Sequence, residues 1–543
     1  MRLFSGALLL ALTVPSGAVV PPGSDAALGG LLDARSAGGA AFDGGRLLQS
    51  APGAVSAGPG KGAPPLAPAK AADQAAAPQS PAAPADVQPS QARGVSDGNI
   101  GLYPENDFVV GTGRCSACRA PEEGKWYFLD EVIATPKVGA PALVWLGGHE
   151  LLEGATLSDD GASLRLKDGS VVAFELVPKI ESNRSYFDAS SLAHLRGRAL
   201  RLRGEYAVRG GVRTFVARTI WPEDYRVDAA NLASSDAATA QDVDALVSAD
   251  HGGARAPFQT KLLWQRSGEP RAWEGKPVMG VMLNGAQGDD DEALAGHFSL
   301  FTGRYGPGGS MADWMFNNFY DMNSESEKGI VASLVPMDKY MTDLNSGQSW
   351  YRPSELLVMV MKDERVPLQV QELFKQRYAD YYAQKMKYEH THLNCTALIA
   401  DPVREAGWHF PKNGKTPVIV AKALSALASK VSGSAQAGEE IYQALREEPT
   451  RGFPRAAFDS VGGDLLSLEG ANGADAHSRR LSPLEKMVQD DLVAILWVRL
   501  PQLPSSRKFG RDAVGGVVDY ITRTGGKIKQ TVPTAPRPFP PPH

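Results

Sequence analysis

Cysteine is scarce in this chain, with three in 543 residues. Cys115-Ser116-Ala117-Cys118 holds two of them, and one Cys-x-x-Cys supplies only half of the four ligands that a structural zinc needs. No second pair completes such a site, and no His follows Cys118, which excludes covalent haem attachment. The pair therefore reads as a disulfide or redox pair ahead of a metal site, and Cys395 is left without a cysteine partner. Long apolar runs are also missing: no stretch approaches the roughly eighteen residues of a membrane-crossing helix, so no transmembrane anchor is expected. Nor is there a basic excess. Lys and Arg number 56 against 61 Asp and Glu, a net charge of -5, which offers no electrostatic footprint for nucleic acid.

What is present divides by composition. At 43% hydrophobic and 22% charged residues, the chain has the makeup of a globular protein, and its length suggests roughly two to four domains. Met1-Arg2, the short apolar run Leu3 to Val14 and the small residues up to Ala18 have the parts of a secretory signal, so residues 1–18 are expected to direct export to a periplasm or beyond. Residues 19–95 are dominated by Ala, Pro and Gly, as in Pro64-Pro65-Leu66-Ala67-Pro68, and read as a disordered tether. An unpaired Cys395 in an oxidising compartment is a liability unless it is buried or used.

Residues 101–227 carry short strand patterns separated by turn signals such as Asp168-Gly169 and Gly210-Gly211, which predict a small all-β barrel or sandwich. The run Arg198 to Gly204 resembles the late strands of an oligonucleotide/oligosaccharide-binding (OB) fold. From 258 to 410 the pattern changes to strands followed by a helix, an α+β unit. Strands are predicted at Lys276 to Leu283, Gly296 to Gly303, Trp314 to Asp321 and Leu356 to Met361. Val370, Phe374 and Tyr378 then recur at helical spacing, with Pro367 at a first-turn position. Residues 411–530 read as a helical C-terminal region, with Met487, Leu492, Ile495 and Val498 forming one buried stripe. Residues 531–543 are a Pro-rich tail.

The chemistry gathers at Lys387 to Thr396. Cys395 follows one helical pattern and opens another, and a thiol at a helix N-terminus beside an imidazole can have its pKa lowered into a range of roughly 3.5–7.5. A plain buried thiol near two surface histidines is the alternative. His297, at the start of a predicted strand, is the candidate base. Asn318 on the next strand is the residue expected to hold its ring, with Asp321 as a second choice; Tyr320 shares the face of Asn318, and Asn317 faces away. The backbone N–H of Cys395, with Asn394 or His392, is the candidate oxyanion site. Glu389, His390 and His392 lack the His-Glu-x-x-His spacing of zinc proteases, so no metal and no cofactor are expected.

Gly296-His297-Phe298, then Asn317-Asn318-Phe319-Tyr320, Lys339-Tyr340, Trp350-Tyr351 and finally Asn394-Cys395-Thr396 resemble the Lnb N-terminal periplasmic domain family. They also resemble the circularly permuted, NlpC-like branch of the papain-like thiol fold that includes lecithin:retinol acyltransferase. The resemblance spans roughly Lys276 to Trp408. It implies a permuted papain-like domain in which Cys395 is the nucleophile and His297 the base of a cysteine hydrolase or acyltransferase. The implied substrate is a cell-envelope amide or ester in a peptide, lipid or lipoprotein. The membrane part of a full lipoprotein acyltransferase has no counterpart in this sequence. The competing expectation is a non-catalytic envelope-binding protein with an inert core, which a Cys395 that alkylates only near or above about pH 8.5 would favour.

Overall fold

The computed structural model describes residues 108–111, 132–136, 144–148, 150–177, 187–234, 240–248, 257–286, 295–319, 333–344, 346–382, 385–386, 388, 393–409, 416–468, 480–505 and 513–516. The signal and tether segments, Cys115, Cys118, Tyr320, Asp321, His390, His392 and the tail lie outside them.

The architecture is mixed α+β with two sheets. Three short strands come first: β1 (Phe108–Gly111), β2 (Val132–Pro136) and β3 (Val144–Gly147). A closed five-stranded barrel follows, from β4 (Glu150–Leu157), β5 (Ser163–Arg165), β6 (Val171–Leu176), β7 (Leu200–Arg209) and β8 (Val212–Pro222), with helix α1 (Ala189–Leu195) between β6 and β7. Alternate side chains such as Leu200, Leu202, Phe215, Ala217 and Ile220 fill its interior with Leu157, Leu164, Phe174 and Leu195. The register of β7 against β8 shifts at Arg203/Gly204. A Cβ at Gly204 would fall 2.2 Å from the Val216 carbonyl oxygen, so only glycine permits that approach.

The second sheet has eleven strands. After β9 (Ala233–Ser234) and α2 (Ala240–Ser248) come β10 (Gln259–Gln265), β11 (Pro277–Asn284), β12 (His297–Arg304), β13 (Met315–Asn318), β14 (Ser333–Pro336), α3 (Met337–Thr342) and β15 (Ser354–Met361). Helices α4 (Arg365–Tyr382), α5 (Cys395–Glu405), α6 (Val418–Ser432), α7 (Ala435–Arg446), α8 (Pro449–Gly452), α9 (Pro454–Leu468) and α10 (Pro483–Asp491) lead to the late strand β16 (Leu492–Leu500). The order across the sheet is β1-β2-β3-β14-β13-β12-β11-β15-β16-β10-β9. Central strands β11, β15 and β16 are buried at every position. Helices α4, α5 and α9 pack near β11 and β12, which sets the head of α5 against the strand that begins with His297.

Two sequence expectations change here. The region 411–530 is not wholly helical: α10 stops at Asp491, and Leu492 to Leu500 form a strand between β15 and β10. Leu492, Ile495 and Val498 therefore belong to a strand that is apolar on both faces, a pattern that periodicity cannot distinguish from a buried helix. The unit expected at 101–227 is also divided. β1, β2 and β3 join the large sheet, through a parallel pairing of Val144 with Leu334, and only β4 to β8 form the barrel. Between the barrel and β10, α2 carries Val243 and Val247 into the main core.

A buried ion cluster ties the barrel to the sheet. Arg201 and Arg203 on β7 both donate to Asp338 Oδ2 on α3, at 2.9 and 2.6 Å, and Arg201 also reaches Glu153 at 2.7 Å and Asp313. Burial would raise the Asp338 carboxyl, but the two guanidinium charges outweigh it and hold the group below the ordinary carboxylate value.

Candidate active site

Gly296 has φ +86°, and a Cβ there would lie 2.4 Å from the Asn284 carbonyl oxygen. This left-handed glycine lets the chain enter β12 with His297 paired to Asn284 of β11. Asn284 is fixed in turn, since its Nδ2 donates to Ser354 Oγ at 2.8 Å and its Oδ1 accepts from Tyr340 Oη at 2.6 Å. The Tyr340 ring stacks on Phe316, with centroids 4.7 Å apart. His297 thus stands on a rigid floor, 2% exposed.

The structure brings His297 and Asn318 together, with His297 Nε2 3.0 Å from Asn318 Oδ1. An amide oxygen only accepts, so this contact puts the ring proton on Nε2 and the lone pair on Nδ1. Asn317 turns the other way, its Nδ2 donating to the Leu300 carbonyl and its Oδ1 accepting from Tyr378 Oη.

Cys395 is the first residue of α5. Asn394 caps the helix: its Oδ1 accepts from the N–H groups of Thr396 and Ala397 at 3.0 and 3.1 Å, and its Nδ2 donates to the Gly452 carbonyl at 3.0 Å. Asn394, named with the oxyanion site, thus uses both ends of its amide to hold the helix that Cys395 opens. Helix α5, which Cys395 opens, packs on β12, the strand that begins with His297. Arg352 supplies positive charge to both His297 and Cys395; it is 3% exposed and held by Gln348 Oε1 and the Gly285 carbonyl.

Burial dominates the protonation of both groups. It pushes His297 down to about 3, with the Arg352 charge adding to the effect and the Asn318 bond opposing it. It also pushes the Cys395 thiol up, and the bonds from Phe298, Thr396 and Tyr388 together with the Arg352 charge do not offset it. The helix-start argument anticipated a lowered thiol. Desolvation of a side chain only 5% exposed is the stronger effect, and the resting pair is a neutral thiol and a neutral imidazole.

Tyr388 occupies the expected oxyanion position: the Cys395 N–H donates to its Oη at 3.1 Å. Neither Tyr388 nor Arg352 stood out in the sequence, because no periodicity or motif spacing marks them. His392, Cys115 and Cys118 lie outside the described residues. Among the described residues no group of three or more His, Cys, Asp and Glu side chains could hold a metal ion, and no helix is long and apolar enough to cross a membrane. Compared with family models, with curated proteins and with solved structures, the chain matches none.

Proposed function

We propose that this protein is an exported cysteine hydrolase or acyltransferase that acts on amide or ester acyl groups of the cell envelope. Cys395 is the nucleophile, His297 the base and Asn318 the residue that orients the base. The observation that carries the reading is that α5, which Cys395 opens, packs on β12, the strand that begins with a histidine whose Nε2 is held by Asn318. Further support comes from the order of elements, a histidine strand followed by an Asn-Cys helix start, as in a permuted papain-like domain. The barrel of β4 to β8, closed and five-stranded, suits an OB-like accessory unit.

In the reaction the thiol proton passes to His297 Nδ1 as the sulfur attacks the acyl carbon and a C–S bond forms. Collapse of the tetrahedral oxyanion breaks the C–N or C–O bond, and the imidazolium returns its proton to the leaving amine or alcohol. Water or an acceptor nucleophile then attacks the thioester, gives its proton to His297 and releases the sulfur, which recovers that proton as a thiol. The neutral resting pair requires proton transfer to accompany attack, with the substrate carbonyl oxygen taking the Cys395 N–H from Tyr388.

The test is acyl transfer from an activated ester, such as a p-nitrophenyl ester, followed by intact mass and peptide mapping. The expected result is an acyl adduct on Cys395, absent in Cys395→Ala and formed at least about 10²-fold more slowly in His297→Ala, with both variants still unfolding cooperatively well above the assay temperature. Unchanged turnover in Cys395→Ala rejects the reading. The burial of the sulfur and its raised pKa favour a second reading, a non-catalytic envelope-binding protein with an inert core. A folded wild type that never acquires the acyl group selects it.

A further inference from the structure

Helix α6 leaves much of its apolar surface uncovered. Val418, Ile419, Val420 and Leu427 are 42%, 68%, 37% and 37% exposed, and three of them form one continuous tip at the helix start. Its opposite side is closed by α7, packed so tightly that a Cβ at Gly438 would fall 1.7 Å from Ser429 Oγ. The exposed side therefore cannot turn inward to hide. Charge separates this element from the rest of the chain: from Pro411 to Ser432 the sequence holds Lys412, Lys415, Lys422 and Lys430 and neither Asp nor Glu, within a protein of net charge -5. Lys422 and Lys430 are themselves exposed, on the same side as Ile419 and Ala426.

An apolar tip with flanking lysines and no acid fits a surface that offers hydrocarbon beneath a layer of negative charge. We propose that the start of α6 docks peripherally on an anionic lipid bilayer, with Val418, Ile419 and Val420 entering the headgroup boundary and Lys422 and Lys430 lying against lipid phosphates. Long lysine stems keep their ammonium groups at headgroup level while the apolar residues sink. The inference goes beyond the acyl-transfer reading and is independent of it, since it uses no residue of the Cys395 site.

The experiment is co-sedimentation of the full chain with vesicles of phosphatidylcholine alone and with vesicles in which about a third of the lipid is phosphatidylglycerol. The expected result is binding to the anionic vesicles only, reduced at least about fivefold in Ile419→Asp/Val420→Asp and in Lys422→Glu/Lys430→Glu, and unchanged in Cys395→Ala. Three results would overturn the proposal: no binding to anionic vesicles, equal binding to neutral ones, or α6 variants that bind as the wild type does. The last result would assign lipid contact to another segment, such as the apolar run at 3–14. Self-association without vesicle binding, lost in Ile419→Asp/Val420→Asp, overturns it too, in favour of a second copy of the chain.

Discussion

Asn394 performs two jobs with one amide, capping α5 through its oxygen and anchoring the helix to Gly452 through its nitrogen. Asn394→Ala is expected to cost about 1–2 kcal/mol in urea unfolding, and to lower acyl transfer by loosening the residue that follows it. The protonation of the pair yields a second prediction. His297 is neutral in the fold down to about pH 3, while an unfolded histidine binds a proton below about 6.5. Between those values the unfolded chain carries a proton that the native chain refuses, so stability falls as pH drops from about 6.5 toward 3. In His297→Gln, melting temperature followed against pH should show a weaker decline across that window. Alkylation of Cys395 by iodoacetamide followed against pH separates the two readings: a rise only above the ordinary thiol value of about 8.5 is what the burial-raised thiol of an inert core would give, and a rise below it is what a working nucleophile would give. His297, Asn318 and Cys395 are legible in the sequence because strand alternation and a helix start announce where such side chains point. Tyr388 and Arg352 are not, since each reaches the sulfur or its surroundings from a loop or turn that follows no period.

Among the elements, those with a polar side are the ones sequence patterning finds best. β5 and β6 are joined across Asp168-Gly169, and β7 and β8 across Gly210-Gly211, the two turns that the sequence marks. β16 shows the opposite case. Leu492 to Leu500 is buried on both faces, its one charged residue, Arg499, paired inside with Glu355, so no alternation marks a period and three-residue spacings in the apolar run Leu492 to Val498 imitate a helix. Its weight in the fold can be measured: Trp497, fully buried at 0% exposure, should cost about 3–5 kcal/mol when replaced by Ala, read by chemical denaturation. Short β1 and β3 mislead differently, because nothing local says which of two sheets a four-residue strand will join.

At the scale of the whole molecule, Asp338 is the bolt between barrel and sheet, gripped by Arg201 and Arg203. Asp338→Asn leaves two buried guanidinium groups short of a counter-charge, a change expected to cost about 3–5 kcal/mol. Differential scanning calorimetry should then show the barrel melting ahead of the sheet, where the wild type melts in one step.

The place of β16 also governs timing. β10 and β15 touch it on either side and do not touch each other, so a sheet begun near residue 108 stays in two pieces until residue 500 has been delivered. A chain made from its N-terminus would present the β15 edge bare and unable to close. It would need shelter from aggregation during that interval, and whatever reactivity the folded protein has would be withheld until nearly the whole polypeptide had been made.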